Sequence, residues 1–368
     1  MSQPRIDLVA GARPNFMKIA PIVRALREDG RLRWRLVHTG QHYDRDMNEV
    51  FFEELGIPAP DVRLGAGGGS HAAQTAKIMT AYEELCQQDR SDAVLVVGDV
   101  NSTLACSIVA KKLCIPVAHV EAGLRSGDMT MPEEINRLVT DSISDWFFVT
   151  EPSGMRHLLR EGKDPAMVHD VGHVMADNVL YQAAQLAHVD TSGFETDVFK
   201  RRHSRYGVLT LHRPSNVDSR EGLERLAASL RVISARLPLA FPVHPRTRAN
   251  LANFGVDLGP GIELMPPQAY MPFLHLWKDA VVVLTDSGGL QEETTALGVP
   301  CVTLRENTER PITVDEGTNE LAGTEPSRVI ELALAAIEGR SKRGRRPKLW
   351  DGNAARRIVG ILADALAR

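Results

Sequence analysis

The sequence predicts an α/β protein of two doubly wound, Rossmann-like domains facing a central cleft. Three observations carry this. Short apolar runs alternate with amphipathic stretches, the pattern restarts halfway along, and 368 residues make about two domains. The first series of strands is 6–10, 35–39, 93–98, 116–121, 147–150 and 167–172. The second is 206–211, 240–244, 262–265, 280–285 and 300–304. Their near-continuous apolar character suits parallel sheets covered by helices on both faces. Helical periodicity falls at 16–28, 71–88, 101–113, 132–145, 220–236 and 326–338. The segment 173–205 also reads as helical and carries the chain across. The expected domains are therefore 1–172, completed by a last helix over 353–368, and 173–352. Ligands of open α/β sheets bind beyond the carboxyl ends of the strands, so the loops there are the ones to read for function.

Composition removes several function classes. The chain is 43% hydrophobic and 24% charged, ordinary for a soluble enzyme. A net charge of -4 gives no nucleic-acid signal, and the basic run Lys342, Arg343, Arg345, Arg346 and Lys348 reads as a solvated loop. No secretory h-region opens the chain, and no stretch approaches the ~20 apolar residues of a membrane span. Neither nucleic acid nor membrane is an expected partner, and a cytoplasmic setting fits. Cys86, Cys106, Cys114 and Cys301 lack CxxC spacing and read as four buried, reduced thiols. The histidines show neither HxH nor HxxxH spacing, so no metal is expected.

The first strand runs into Gly11-Ala12-Arg13-Pro14 and a helix bearing Lys18, either an anion site at a helix N-terminus or an ordinary strand-to-helix turn. It is not GxGxxG, and no dinucleotide cofactor is expected. Asp99 follows the third strand as a helix cap or a cleft carboxylate. Glu121 closes the fourth strand, where an unpaired carboxylate is costly, and Arg125 is its expected partner in a structural ion pair. Glu133 follows Pro132, where acids suit a helix start. Paired carboxylates in one cleft are also standard proton handlers. His212 and His244 end strands of the second domain. Ser287-Gly288-Gly289 opens a helix and can receive a diphosphate on bare N–H groups, and Glu293 lies about one turn further, placed for a ribose diol. Gln268, Tyr270 and Phe273 can frame a flat base, Phe273 being otherwise core.

These loops resemble the non-hydrolysing UDP-N-acetylglucosamine 2-epimerase family, relatives of the GT-B glycosyltransferases. The motifs are TGQH (39–42), GDVNSTLA (98–105), HVEAGLRSGD (119–128), PEEINR (132–137), LHRPSNVD (211–218), PVHPRT (242–247) and DSGGLQEE (286–293). The resemblance implies a UDP-sugar substrate and a homodimer. It places Asp99, Glu121, Glu133 and His212 around the reacting sugar, with Arg13, Lys18 and Arg137 serving the same site. It gives Gln268 and Phe273 to uracil, Ser287, Gly288 and Gly289 to diphosphate, Glu293 to ribose, and Arg310 to sugar or phosphate. Gln41, His42, Glu134, Arg213 and His244 match positions where many members bind a second, activating UDP-sugar. The stretch Gly67-Gly68-Gly69-Ser70-His71 lacks that subsite's usual arginine.

The C2 proton of a ring-form acetamido sugar is not next to a carbonyl carbon, so simple enolisation cannot remove it. The expected route is elimination of UDP to a glycal, then re-addition from the other face. Alternatives are a related UDP-2-acetamido or 2,3-diacetamido uronic sugar, a hydrolysing epimerase releasing ManNAc and UDP, a GT-B glycosyltransferase, and a nucleotide-sugar sensor.

Overall fold

The computed structural model describes residues 3–41 and 49–367. It divides into two compact units, 1–178 with 348–368, and 179–347. The sequence placed these boundaries at 172/173 and 352/353. Asp177 belongs with the first unit because its carboxylate accepts the N–H groups of Ala354 (3.2 Å) and Ala355 (2.8 Å), which open the helix Ala354–Leu366. Trp350 is likewise buried in the first unit, its indole N–H donating to the Thr150 carbonyl at 3.2 Å.

Unit 1 holds β1 (Arg5–Ala10), β2 (Arg33–His38), β3 (Val62–Arg63), β4 (Ala93–Val97), β5 (Val117–Val120), β6 (Trp146–Val149) and β7 (Val168–Asp170). Their order is β3-β2-β1-β4-β5-β6-β7, with all pairs parallel. The sheet is buried on both faces. Leu8, Ala10, Leu95 and Val97 pack with Phe16, Ile19 and Val23 of the helix Arg13–Asp29 and with Ile358 and Leu362 of the last helix. Their neighbours Val9, Val94 and Val96 pack on the other side with Ile78, Tyr82, Cys106 and Val109. This two-sided burial is why the strands read as unbroken apolar runs. Asp7 interrupts the run of β1. Arg35 holds it through two bonds of 2.9 and 2.8 Å, Tyr82 donates to it at 2.9 Å, and Ser91 at 2.5 Å.

Unit 2 holds β8 (Gly207–Thr210), β9 (Leu239–Pro242), β10 (Ile262–Met265), β11 (Val282–Thr285), β12 (Cys301–Thr303) and β13 (Asn319–Leu321). Their order is β10-β9-β8-β11-β12-β13, again all parallel. Strand order reverses between β1 and β4 in one sheet and between β8 and β11 in the other. Chains leave these adjacent strands in opposite directions, which opens a crevice at their carboxyl ends.

Three of the four cysteines are buried, but Cys114 is exposed, contrary to expectation. It follows the helix Asn101–Lys112 in the left-handed region at φ 53°, on a surface turn. The basic segment 342–348 is largely exposed, with Arg346 also donating to the Ala296 carbonyl at 2.8 Å. No helix among the described residues is long and apolar enough to cross a membrane.

Candidate active site

The crevice of unit 1 is built from the loops after β1, β4 and β5. After β1 the chain turns at Gly11, where a Cβ would stand 2.0 Å from the Ser102 hydroxyl oxygen. Asn15 fixes this turn by accepting the N–H groups of Gly11 (3.2 Å) and Ala12 (3.0 Å) and donating to the Val97 carbonyl of β4 (3.2 Å). The helix that follows carries Arg13, whose guanidinium lies 5.1 Å from the Phe51 ring centroid, and Lys18. Glu121 pairs with Lys18 rather than Arg125, the ammonium lying 2.6 Å from Oε2. Glu121 is buried at the end of β5 in the left-handed region, φ 70°. A non-glycine residue is held there only when its surroundings impose it, and such positions cluster at functional sites.

Arg125 turns instead to Asp141 (2.7 Å) and Glu161 (2.8 Å). The reason lies in the backbone. With Glu121 at φ 70° and Gly123 at φ 79°, the chain reverses direction before Arg125. Gly123 passes so close to the helix Pro152–Arg160 that a Cβ would meet the Gly154 carbonyl oxygen at 2.3 Å. Asp141 accepts the Gly123 N–H at 2.9 Å and His119 Nδ1–H at 2.7 Å. Burial raises the Asp141 carboxyl, but its contacts with His119 and Arg125 outweigh it and hold it below the usual range.

Asp99 stands at the end of the β4 loop, where Arg137 grips one oxygen through Nε (2.9 Å) and Nη2 (2.6 Å). Arg137 also donates to Glu134 at 2.8 Å. Burial would raise Glu134, but the N–H groups of Ser126 and Gly127, with Arg137, bring it below its ordinary value. Glu133 is half-buried in the first turn of the helix Pro132–Ile143 and faces a polar cavity of about 330 Å³, shared with Gln41, His71, Asn101 and Asn136. Asn136, on the same cavity, donates to the Asp99 carbonyl at 2.8 Å. Gln41 accepts the Ser102 N–H at 2.9 Å and so completes the start of the helix Asn101–Lys112. His42 lies outside the described residues.

In unit 2 the loops after β8 and β11 are joined by Asp286, which is fully buried. It accepts the N–H groups of His212 (3.0 Å) and Arg213 (2.9 Å) and the Asn216 amide (3.1 Å), and stands 2.9 Å from His212 Nδ1. Burial raises the Asp286 carboxyl, while His212 pulls it lower still, to a net fall. The His212 ring is 46% exposed and lines a pocket of about 210 Å³ with His244, Gln268 and Phe273. Ser287 is the N-cap of the helix Gly288–Leu297, and a Cβ on Gly288 or Gly289 would meet nothing within 4 Å. Neither fold nor backbone angle requires glycine here. Their effect is to leave the N–H groups of a helix N-terminus bare, as a phosphate requires. Glu293 is buried behind this turn and accepts the Tyr270 hydroxyl at 2.9 Å. Tyr270 is thus a buried support for Glu293 rather than part of a base-framing wall. Arg310 is ion-paired with the buried Glu292.

Unit 1 therefore pairs Lys18 with Glu121 and Arg137 with Asp99, and sets Glu133 on the polar cavity. Unit 2 gathers His212 with Gln268 and Phe273, and Ser287 to Gly289 with Glu293. Sequence reading gave no role to His119, Asp141 and Asp286. The available signal was a polar residue within an apolar strand (His119), at the buried i+4 position after Arg137 (Asp141), and immediately past an apolar strand (Asp286). Among the described residues, no cluster of three or more His, Cys, Asp or Glu could hold a metal ion.

Two doubly wound parallel sheets, each with polar loops at its own switch point, define a GT-B-like α/β protein. Residues 24–363 match the family model of UDP-N-acetylglucosamine 2-epimerase, and the chain belongs to that family. A UDP-N-acetylglucosamine 2-epimerase of Methanocaldococcus jannaschii is 40% identical over 367 residues, covering 97% of this chain and 98% of that one. The crystal structure of the Methanocaldococcus jannaschii UDP-GlcNAc 2-epimerase in complex with UDP-GlcNAc and UDP matches with a TM-score of 0.85 at 39% identity, over 98% of this chain and 99% of that chain. The UDP-2,3-diacetamido-2,3-dideoxy-D-glucuronate 2-epimerase of Pseudomonas aeruginosa is 36% identical over 362 residues, covering 98% and 99%.

Proposed function

We propose that this chain interconverts UDP-GlcNAc and UDP-ManNAc by a non-hydrolysing inversion at C2. The observation that carries the reading is Glu121, a buried carboxylate in a left-handed backbone conformation at the carboxyl end of β5, charge-paired with Lys18 of the helix that follows β1. Glu121 or Asp99 takes the C2 proton. The C2–H electrons form the C1=C2 bond as the C1–O bond breaks, and its electrons leave with UDP. Glu133 serves as the counterpart acid, returning a proton to C2 from the opposite face while a UDP oxygen re-forms the bond to C1. General acid–base help of this kind contributes typically 10²–10⁴-fold.

The leaving diphosphate is the task of unit 2. The bare N-terminus at Ser287-Gly288-Gly289, the His212 ring and Arg310 can meet its charge, as fixed dipoles and cations do for developing anions. Glu293 takes the ribose diol, and Gln268 with Phe273 the uracil. Arg13 and Lys18 complete the sugar side. The enzyme acts as a homodimer in this reading.

Turnover of UDP-GlcNAc in deuterium oxide tests the route. Product UDP-ManNAc should carry deuterium at C2, and phosphorus NMR should show the sugar still attached to UDP. Product without deuterium sinks the elimination, and free ManNAc with UDP makes the enzyme hydrolysing. The identity to the Pseudomonas aeruginosa relative supports a second substrate reading, a UDP-2,3-diacetamido uronic sugar. A panel of UDP-sugars with product stereochemistry read by proton NMR separates the two.

A further inference from the structure

We propose that His119 is a positioning residue, a buried and doubly protonated imidazole that ties the loop carrying Asp99 to the loop carrying Glu121. The proposal rests on the proton-handling reading of those two carboxylates. Strands β4 and β5 are in register through Val96–His119 and Val97–Val120, and the last ladder bond is Gly98 N–H to the Val120 carbonyl at 3.0 Å. Beyond that bond the backbones part into the two loops. His119 has no solvent exposure and bridges them. Its Nε2 lies 2.9 Å from the Gly98 carbonyl oxygen, one residue before Asp99. Its Nδ1 lies 2.7 Å from Asp141, whose other oxygen accepts the Gly123 N–H, two residues after Glu121.

Both partners only accept. A carbonyl has no proton to give, and the other oxygen of Asp141 accepts both the Gly123 N–H at 2.9 Å and the Arg125 guanidinium at 2.7 Å, the setting of an ionised carboxylate. A neutral imidazole has one N–H, so one contact would then set lone pair against lone pair. The partners therefore assign a proton to each ring nitrogen. The surrounding charges balance. His119 and Arg125 are the cations, Asp141 and Glu161 the anions, and Arg125 closes the set at 2.7 Å from Asp141 and 2.8 Å from Glu161. His157 adds a bond of 2.8 Å to the Gly123 carbonyl, so the turn after Glu121 is held on both sides. Rigid support of this kind sets catalytic groups to within a fraction of an ångström, and misplacement by 1 Å can cost about 100-fold in rate.

Two measurements test this. In protein labelled with ¹⁵N-histidine, both ring nitrogens of His119, assigned by their absence in His119→Gln, should have the shifts of protonated nitrogens at pH 8. A split pair, one protonated and one bare, overturns the proposal whether or not the enzyme proves to be an epimerase. In kinetics, His119→Gln and the isosteric Asp141→Asn should each lower kcat by about 10- to 100-fold. KM and UDP affinity should stay within about twofold, because the groups that hold UDP belong to the other unit. Wild-type kcat in either folded variant, or a loss of kcat explained entirely by the unfolded fraction, overturns it. Failure of the native enzyme to exchange C2 hydrogen would instead strike the epimerase reading and leave the ¹⁵N result to decide the bridge.

Discussion

Burial pushes the Glu293 carboxyl up to about 7, with the Tyr270 hydroxyl pulling it down and Glu292 adding to the rise. If the ribose diol needs the ionised form, the sign follows. Below that value the carboxyl is protonated and binding is weak; above it binding is strong. Affinity for UDP-GlcNAc should thus rise about tenfold from about pH 6 to about pH 8. Isothermal titration across that range checks it, and Glu293→Gln should flatten the slope. A flat profile in the native protein would mean that this carboxylate does not accept the diol. At this scale the sequence was informative about residue types and poor at partners. Glu121 was legible as an unusual strand-end acid, but the nearby Arg125 was the wrong cation. The left-handed turn that sends Arg125 toward Asp141 leaves no mark at Glu121 itself. Lys18, 103 positions away, is brought to Glu121 only by the pairing of sheet and helix.

Glycines separate fold from function at the scale of single elements. Ala at Gly123 would force a methyl group into the Gly154 backbone at φ 79°, so Gly123→Ala should lower Tm by several degrees and take activity with it. Ala at Gly289 meets nothing, and Ala is the better helix former by about 1 kcal/mol. Gly289→Ala should therefore keep or raise Tm while weakening UDP binding at least tenfold, read by thermal shift and titration calorimetry on the same samples. Equal UDP affinity would remove the phosphate role from this turn. The eleven expected strands all appear, because each is an apolar run between helices. The two missed, β3 and β13, are sheet edges. Val62-Arg63 and Asn319-Glu320-Leu321 are half-wetted and too short to show a pattern.

Asp177 shows how the whole molecule is held. Burial raises its carboxyl to about 6, against the downward pull of the Ala355 and Ala354 N–H groups. A carboxyl raised above its unfolded value of 3.8 favours folding when protonated, so this contribution is lost as pH climbs from about 4 through about 6. A rise of that size is worth about 3 kcal/mol. Urea unfolding should show Asp177→Asn gaining on the native protein by that order between about pH 4 and about pH 7. A constant difference between the two would refute the assignment. The sequence foresaw two doubly wound units, with the final helix completing the first. The periodicity of that helix alone names no partner, because an amphipathic helix reports that it has a dry face and not what covers it.

That final helix has a consequence for synthesis. Ile358, Val359 and Leu362 fill the same core as Phe16, Ile19 and Val23, so the first core cannot close until the helix Ala354–Leu366 has been made. Unit 2 is one continuous stretch, 179–347, lying inside the sequence of unit 1. On the ribosome, unit 2 can fold as soon as it emerges, while unit 1 waits with an open apolar groove. The loops that carry Glu121 and Asp99 therefore gain their final support only after unit 2 has been made.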